Sequence, residues 1–221
     1  MSKRKPYLTY IFLGLQCLVF LAMTFLGGSE NSYLLLLFGA KENSLIALHQ
    51  EYWRLFTPIF IHIGFVHLLM NSLALYYLGS FVEKIIGSWR FALLYILSGV
   101  MGNLLSYQFS WGLSAGASTS LFGLFAFFVT MAYLKPDNPY YSALGQQYKT
   151  LIILNIILNL FSTNIDLAGH LGGALGGVLM TLWLMSDEKE ERPYRWLAAG
   201  LYLGISIFIL LNHGHYNSIF A

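Results

Sequence analysis

Two polar side chains inside apolar runs are the residues of this sequence that could carry chemistry. Ser118 begins a run that ends near Leu134, and His170 lies early in a second run, in the sequence DLAGHLGG. Hydrocarbon solvates neither a hydroxyl nor an imidazole, so polar groups at membrane depth are candidates for function. A serine beside a histidine base is a nucleophile for acyl transfer. The pair therefore predicts peptide-bond hydrolysis inside a membrane.

The position of Ser118 suits a nucleophile. We expect it near the external end of its span, in a first helical turn whose N–H groups lack acceptors and where the helix dipole is positive. Its own backbone N–H could then stabilise the oxyanion that its attack creates. Gly116 and Ala117 are small enough to let a substrate backbone approach. Taken alone, the serine could instead only cap the helix.

Glycines around His170 predict a close helix contact. His170, Gly173 and Gly177 share one helical face, and such faces let helix backbones approach closely in lipid. We expect this helix to pack tightly on a neighbour, with the imidazole within about 3 Å of the serine hydroxyl. The alternative is a histidine that is only a hydrogen-bonded packing residue.

A second polar pair lies in an earlier apolar run. His67 and Asn71 are four residues apart and so lie on one helical face. An imidazole and a carboxamide can both donate hydrogen bonds to a developing negative oxygen. The alternative is a local hydrogen bond between the two that satisfies both polar groups.

The composition indicates an integral membrane protein. Hydrophobic residues make up 57% of the 221 residues and charged residues only 10%, against about 25% in ordinary soluble domains. The net charge of +2 gives no sign of nucleic-acid binding. One cysteine, Cys17, excludes an internal disulfide. His62 and His67 are five residues apart and do not match a zinc motif, so neither a metal nor another cofactor is expected.

Apolar runs of about 17 to 25 residues are long enough to cross a bilayer as helices. The chain has seven, at about residues 7–27, 57–79, 91–110, 114–134, 148–163, 167–186 and 196–212. The predicted fold is an all-α polytopic bundle of seven transmembrane helices. We assign residues 1–6 to an N-terminal tail, 7–186 to a six-helix core, 187–195 to a linker, 196–212 to an additional helix and 213–221 to a tail.

Basic residues predict the orientation, because lysine and arginine are retained on the cytoplasmic side. With a cytoplasmic N-terminus, only Lys41 and Arg54 lie outside, and the tail with His213 and His215 is external. The external segment 28–56 mixes apolar and charged residues and should lie in the headgroup interface, as an anchor or as a shaper of substrate access. The cytoplasmic set is Lys3, Arg4, Lys5, Lys84, Arg90, Lys135, Lys149, Lys189, Arg192 and Arg195.

The remaining polar residues have simpler interpretations. Asp166 precedes His170 by four residues and could orient its imidazole, although a helix cap is the preferred interpretation. Glu83 reads as a tether between helices, together with Lys84 and Arg90. His49 and His62 are expected to be solvated at the external surface.

Together, these motifs resemble the rhomboid intramembrane serine proteases. The resemblance covers residues 53–177 and rests on four motifs in the family's order, which are Trp53-Arg54, His67-x-x-x-Asn71, Gly116-x-Ser118 and His170-x-x-Gly173-x-x-x-Gly177. It implies a catalytic dyad of Ser118 and His170 without an essential carboxylate. It also implies an oxyanion site formed by His67, Asn71 and the Ser118 N–H, with Phe122 packed on the catalytic imidazole.

One residue departs from the family's pattern. Thr119 stands where the family usually has glycine, and a β-branched side chain there is expected to narrow the substrate cleft or the oxyanion loop. The alternative to an active enzyme is therefore a weak or inactive rhomboid-like protein that binds transmembrane helices. A transporter is a weaker alternative, because no pair of broken helices occurs in corresponding halves.

The expected partners are transmembrane protein substrates and the lipid bilayer, with no nucleic acid and no metal. A single-pass substrate would enter laterally and be cut near the external face, in a cavity open to water above His170. Activity should fall in acid, because a protonated imidazole cannot act as a base. The N-terminal Lys-Arg-Lys suggests a bacterial plasma membrane, and the oligomeric state stays open.

Overall fold

The computed structural model describes residues 5–160, 165–186 and 192–212, which form nine α-helices and two 3-10 turns. The turns are Tyr52–Leu55 and Thr57–Phe60. The helices are α1 (Tyr7–Leu26), α2 (Ser32–Phe38), α3 (Asn43–His49), α4 (Phe65–Ile86), α5 (Ser88–Phe109), α6 (Ser118–Leu134), α7 (Pro139–Leu160), α8 (Leu167–Met185) and α9 (Arg192–Leu211).

Seven of these helices correspond to the seven predicted spans, and α2 and α3 lie in the external segment. By length and hydropathy α1, α4, α5, α8 and α9 can each cross a membrane. The helix α6 is apolar but has only 17 residues. The helix α7 has 22 residues and carries Gln146, Gln147 and Lys149 in its first half. The prediction of an all-α membrane bundle is confirmed, and the chain is an integral membrane protein.

Two predicted spans begin too early, because proline and glycine interrupt them. The second starts at Phe65 rather than at residue 57: Pro58 lies in a 3-10 turn, and Gly64 has a φ of 80° that a helix cannot include. This helix also runs past residue 79 through a π-helical turn at Leu75–Gly79. The fourth starts at Ser118 rather than 114, because Gly116 has a φ of 143°.

Three other spans begin earlier than predicted, and for α5 the difference is small, with a start at Ser88 instead of residue 91. The helix α7 starts at Pro139, a residue favoured in a first helical turn, and not at 148. The Asn138 side chain accepts a hydrogen bond from the Tyr140 N–H at 3.0 Å and so caps this start. The helix α9 starts at Arg192 and not at 196, which shortens the predicted linker. Residues 1–4, the end of the predicted fifth span at 161–163, the linker residues 187–191 and the predicted external tail at 213–221 lie outside the described residues.

The helix α8 is inserted between α5 and α6 through its glycines, as the small-residue face predicted. A Cβ on Gly172 would lie 2.8 Å from the Met101 carbonyl oxygen of α5, and one on Gly176 would lie 2.9 Å from Ser98 Cα. On the adjacent face, Gly173 and Gly177 meet the backbone of α6. The helix α7 packs mainly on α6, and α9 covers α8 from the other side.

A buried carboxylate joins α1 to α4. Glu83 is 1% exposed and accepts hydrogen bonds from the Leu8 and Thr9 N–H groups at 3.0 and 2.8 Å. It also accepts from the Thr9 hydroxyl at 2.7 Å and from Ser88 at 2.6 Å. The first N–H groups of a helix have no intrahelical partner, so Glu83 caps α1 from another helix. The predicted tether is present, but its described partners lie in α1 and at Ser88.

Removing this cap should loosen the first helix. We expect Glu83→Ala to lower the free energy of unfolding by about 2 to 4 kcal/mol, because several donors lose a charged acceptor. The measurement is thermal or steric-trapping denaturation in a mild detergent. Asp137→Ala removes an exposed carboxylate from the loop between α6 and α7 and is the control. Equal stability of the two variants would contradict the capping role.

Candidate active site

Ser118 and His170 meet where α6 and α8 begin. The Ser118 Oγ lies 2.9 Å from the His170 Nε2. Ser118 is the first residue of α6, and His170 is in the first turn of α8. Both side chains are partly exposed, so the pair is open to a reactant. The structure brings together the predicted nucleophile and base, at the distance that proton transfer needs.

An aromatic ring fixes the plane of the imidazole. The Phe122 ring stacks on His170 with a centroid separation of 4.3 Å and an interplanar angle of 13°. Phe122 lies one turn after Ser118 on α6 and is 4% exposed. Ser118 and Phe122 therefore lie on one face of α6, and the packing of Phe122 on His170 that the resemblance implied is present.

The loop before Ser118 is held by hydrogen bonds from the external segment. Ser114 forms an antiparallel bridge with Lys41, with N···O distances of 2.8 and 3.1 Å. The Gly116 N–H donates to the Pro58 carbonyl at 2.9 Å, and the Ala117 N–H donates to the His62 Nε2 at 3.3 Å. The external segment thus sets where the first turn of α6 begins.

His62 is not the solvated residue that the sequence predicted. Its side chain is fully buried, and burial lowers its pKa to about 3, with the neighbouring His67 acting in the same direction. The imidazole is therefore neutral at physiological pH, and its Nε2 lone pair can accept from Ala117. A histidine close to the Gly64 turn had no sequence pattern that distinguished it from a surface residue.

The predicted oxyanion donors line the same end of the bundle. A Cβ on Gly116 would lie 2.8 Å from the His67 Nε2 and 3.6 Å from the Ser118 Oγ, so His67 contacts the serine loop directly. Asn71 follows one turn later on α4 and is 6% exposed. Its buried Nδ2 has no hydrogen-bond partner within the described part of the chain. A buried amide donor without an acceptor is costly unless a ligand supplies one.

Thr119 points away from the site, in contrast to the prediction that it narrows the cleft. The residue is 4% exposed, and its side chain packs against α5 opposite Gly102. A Cβ on Gly102 would lie only 2.6 Å from the Thr119 Cβ. The missing side chain at 102 provides the room that threonine needs.

Asp166 caps α8, the preferred of its two predicted roles. Its Oδ1 accepts from the Gly169 N–H at 2.9 Å, and its other oxygen accepts from the Ser106 hydroxyl of α5. The described neighbour of the His170 Nδ1 is instead the Asn159 amide, at 2.8 Å. No pattern in the sequence distinguishes Asn159, which lies among apolar residues near the end of α7.

A buried lysine ties the external segment to α5. Lys41 is 0% exposed, and its Nζ donates to the Asn43 Oδ1 at 3.0 Å and to the Ser110 carbonyl at 3.1 Å. Asn43 also donates to Ser110 and Tyr107. Burial lowers the pKa of Lys41 to about 8, although the charges of Asp166 and Glu42 oppose this shift.

The lowered pKa of Lys41 predicts a pH-dependent stability. The unfolded chain, with an ordinary lysine pKa of 10.5, binds more protons than the folded chain between pH 8 and 10.5. Stability should therefore rise with pH across this window, by about 3 kcal/mol for this group. The rise should be absent in Lys41→Met and retained in the exposed-site control Lys5→Met. The measurement is the free energy of unfolding in detergent at several pH values, and equal slopes in both variants would contradict it.

Comparison with known proteins identifies the family of this chain. The Rhomboid domain family model matches residues 49–187. Rhomboid protease GluP of Bacillus subtilis is 40% identical over 206 residues, which cover 93% of this chain and 40% of that protein. Putative rhomboid protease YdcA of the same organism is 33% identical over 65% of this chain and 72% of its own length. Rhomboid-like protease 3 of Toxoplasma gondii is 32% identical over 78% of this chain.

The match to GluP covers less than half of the length of that protein. The matched region contains Ser118, His170, His67 and Asn71, together with Pro58 and His62, which bond the loop before Ser118. The family model covers more than half of the chain. The chain belongs to the rhomboid family.

Proposed function

We propose that the protein is an intramembrane serine endopeptidase that cleaves single-pass transmembrane substrates near the external membrane face. The 2.9 Å approach of the Ser118 Oγ to the His170 Nε2, at the exposed start of two membrane helices, carries this proposal. The relatives named as rhomboid proteases support it.

The chemistry follows from the positions of the side chains. His170 Nε2 takes the serine proton as Oγ attacks the peptide carbonyl. The carbonyl oxygen becomes negative and accepts hydrogen bonds from His67, Asn71 and the Ser118 N–H. His170 then gives its proton to the leaving amine, the peptide C–N bond breaks and an acyl-enzyme remains. Water, deprotonated by His170, hydrolyses the ester and restores Ser118.

This sequence of steps uses only groups of the chain, the substrate and water. No metal or other cofactor has a role in the proposed reaction. The proposed dyad is the one that the resemblance implied, in which Ser118 and His170 act without an essential carboxylate.

A groove on the side of the bundle is the proposed path for lateral entry of a substrate helix, and it extends along α4 from Met70 to Lys84. It has a volume of about 730 Å³ and opens between α4, α6 and α7, with Met70, Leu73, Phe125 and Tyr148 among its lining residues. Met70 directly precedes Asn71, so the groove adjoins the helix that carries the oxyanion donors. Within the membrane, the backbone of an extended substrate segment must be either buried in protein or hydrated.

The topology is part of the same proposal. The N-terminus is cytoplasmic and the C-terminus external in a bacterial plasma membrane, because Lys and Arg then lie mostly inside. Residues 7–186 form the catalytic core, and the last helix is an addition to it. In this orientation Ser118 is at the external end of α6, so the cut fragment leaves outward.

A labelling experiment tests the proposed function. The purified protein in liposomes should cleave a model single-pass substrate, and a fluorophosphonate should modify Ser118, as located by peptide mass spectrometry. Ser120→Ala removes a buried hydroxyl two residues away and should change neither result. Absence of cleavage and labelling across several substrates would support the alternative, a rhomboid-like protein that binds transmembrane helices without cutting them.

Loss of one oxyanion donor should slow the reaction without unfolding the protein. We expect Asn71→Ala to lower kcat by about 10²- to 10³-fold, with little change in KM, because the donor acts on charge that develops only in the transition state. Cleavage kinetics in liposomes measure this. Ser72→Ala removes the adjacent hydroxyl, which bonds Gln16 instead of facing the site, and is the control. A change in KM alone would contradict an oxyanion role.

A further inference from the structure

The Asn159 amide is a buried polar group that the proposed chemistry does not use. Asn159 is 6% exposed and lies at the end of α7, where this helix reaches α8. Its Nδ2 is 2.8 Å from the His170 Nδ1, on the opposite side of the ring from Ser118. The imidazole is therefore held at both nitrogens.

The hydrogen bond at Nδ1 determines what the other ring nitrogen can do. A neutral imidazole carries one proton, so if the amide N–H donates to Nδ1, the proton must be on Nε2. Nε2 then donates to Ser118 and cannot act as its base. Turning the carboxamide by 180° exchanges its oxygen and nitrogen at nearly the same positions. Oδ1 then accepts from Nδ1–H, and the lone pair of Nε2 faces the hydroxyl.

We propose that Asn159 is a positioning residue that holds His170 in the base-competent tautomer, with its Oδ1 accepting from Nδ1–H. This inference rests on the proposed function of the Ser118–His170 pair. In serine proteases a buried carboxylate has the equivalent place beside the histidine. Here a neutral amide on a different helix takes that place, which avoids a buried charge at membrane depth.

The charged and titratable neighbours do not replace the amide. Asp166 faces His170 from the start of α8, but its oxygens accept from the Gly169 N–H and the Ser106 hydroxyl. His67 of α4 is near enough to act on His170 electrostatically, but its described contact is with Gly116. Asn159 is thus the described group that can select the tautomer directly.

Three substitutions separate acceptance from other roles. Asn159→Leu keeps the branched shape of the side chain and removes the acceptor, and Asn159→Ala removes both. Each should lower kcat by about 10- to 100-fold with KM nearly unchanged, because the loss of one buried hydrogen bond and a wrong tautomer act on proton transfer. Asn159→Asp retains an acceptor and should stay within about threefold of the wild type. Asn155→Ala is the control, because its amide bonds the Leu151 carbonyl of its own helix.

The tautomer itself is measured by nitrogen NMR on protein with labelled histidine, with His170 assigned by its loss in His170→Ala. We expect the wild-type ring to carry its proton on Nδ1, and Asn159→Leu to shift the proton toward Nε2. An Nε2–H ring in the wild type, or an Asp variant as slow as the Leu variant, would overturn the proposal. Wild-type kinetics in Asn159→Leu would do the same.

These readouts keep this proposal separate from the proposed function. If the wild type does not cleave, the proposed function fails, whereas the NMR measurement still reports the tautomer. If Ser118 and His170 prove essential while all Asn159 variants are normal, only the positioning role fails. Asn159→Asp and Asn159→Leu keep the branched shape of the side chain, so they remain informative if Asn159→Ala does not fold.

Discussion

Replacing Ser118 by alanine should abolish cleavage, with a fall in rate of about 10⁴-fold or more. The substitution removes the hydroxyl oxygen that lies 2.9 Å from the His170 Nε2 and could attack a carbonyl carbon. Alanine is a good helix former, and the substitution removes only one oxygen atom, so we expect the fold to be unchanged. Single-turnover cleavage of a model transmembrane substrate in liposomes is the measurement.

The double variant that carries Ser118→Ala and His170→Ala tests whether the two residues act as one unit. Groups that act as one unit are not additive, so the double variant should be no slower than either single variant. A substrate that can be crosslinked should still bind to Ser118→Ala. Additive losses would show that the two residues contribute independently and would contradict a nucleophile–base pair.

Replacing Gly173 by alanine should remove both activity and stability. A Cβ at this position would lie 2.8 Å from the Thr119 carbonyl carbon and closer still to its oxygen. These are backbone atoms of α6 and cannot rotate away as a side chain can. Relief requires α8 to move off α6, which separates His170 from Ser118. We expect a loss of at least about 10²-fold in rate, since a displacement of 1 Å is enough for that.

The same substitution elsewhere provides the control. Gly204 is exposed on α9, and a Cβ there would meet no atom within 4 Å. Gly204→Ala should leave cleavage unchanged and stabilise α9 slightly, because alanine is the better helix former. Thermal denaturation in detergent and cleavage rates of the two variants give the comparison. If Gly173→Ala behaves like Gly204→Ala, the backbone contact does not position the dyad.

The sequence predicts those parts of the site in which residues recur at helical intervals. His170, Gly173 and Gly177 repeat at intervals that place them on one face, and the structure has that face in contact with α6. Phe122 follows Ser118 by one turn for the same reason. The five helices of the described residues that are long and apolar enough to cross a membrane were predictable, because hydropathy over a span length is a strong signal.

The missed residues depend on contacts between distant segments. Asn159 reaches His170 only because the end of α7 meets the start of α8. His62 is buried because the external segment folds over the serine loop, whereas its neighbours in sequence suggest a surface position. Thr119 was expected to crowd the cleft, since nothing local reveals that Gly102 of α5 makes room for it. Contacts of this kind, between segments that are distant in the chain, leave no periodic pattern in a single sequence.

Backbone-to-backbone packing along α8 makes the tolerance of this chain to substitution uneven. In a scan of every position, the sharpest intolerance outside Ser118 and His170 should fall on residues with no functional group at all. Gly172, Gly173 and Gly176 belong to this class, whereas exposed positions such as Leu171 should accept other apolar residues. A distantly related sequence could therefore differ over most of α8 and still hold Ser118 and His170 at the same separation, provided that the glycines on its packed faces are kept.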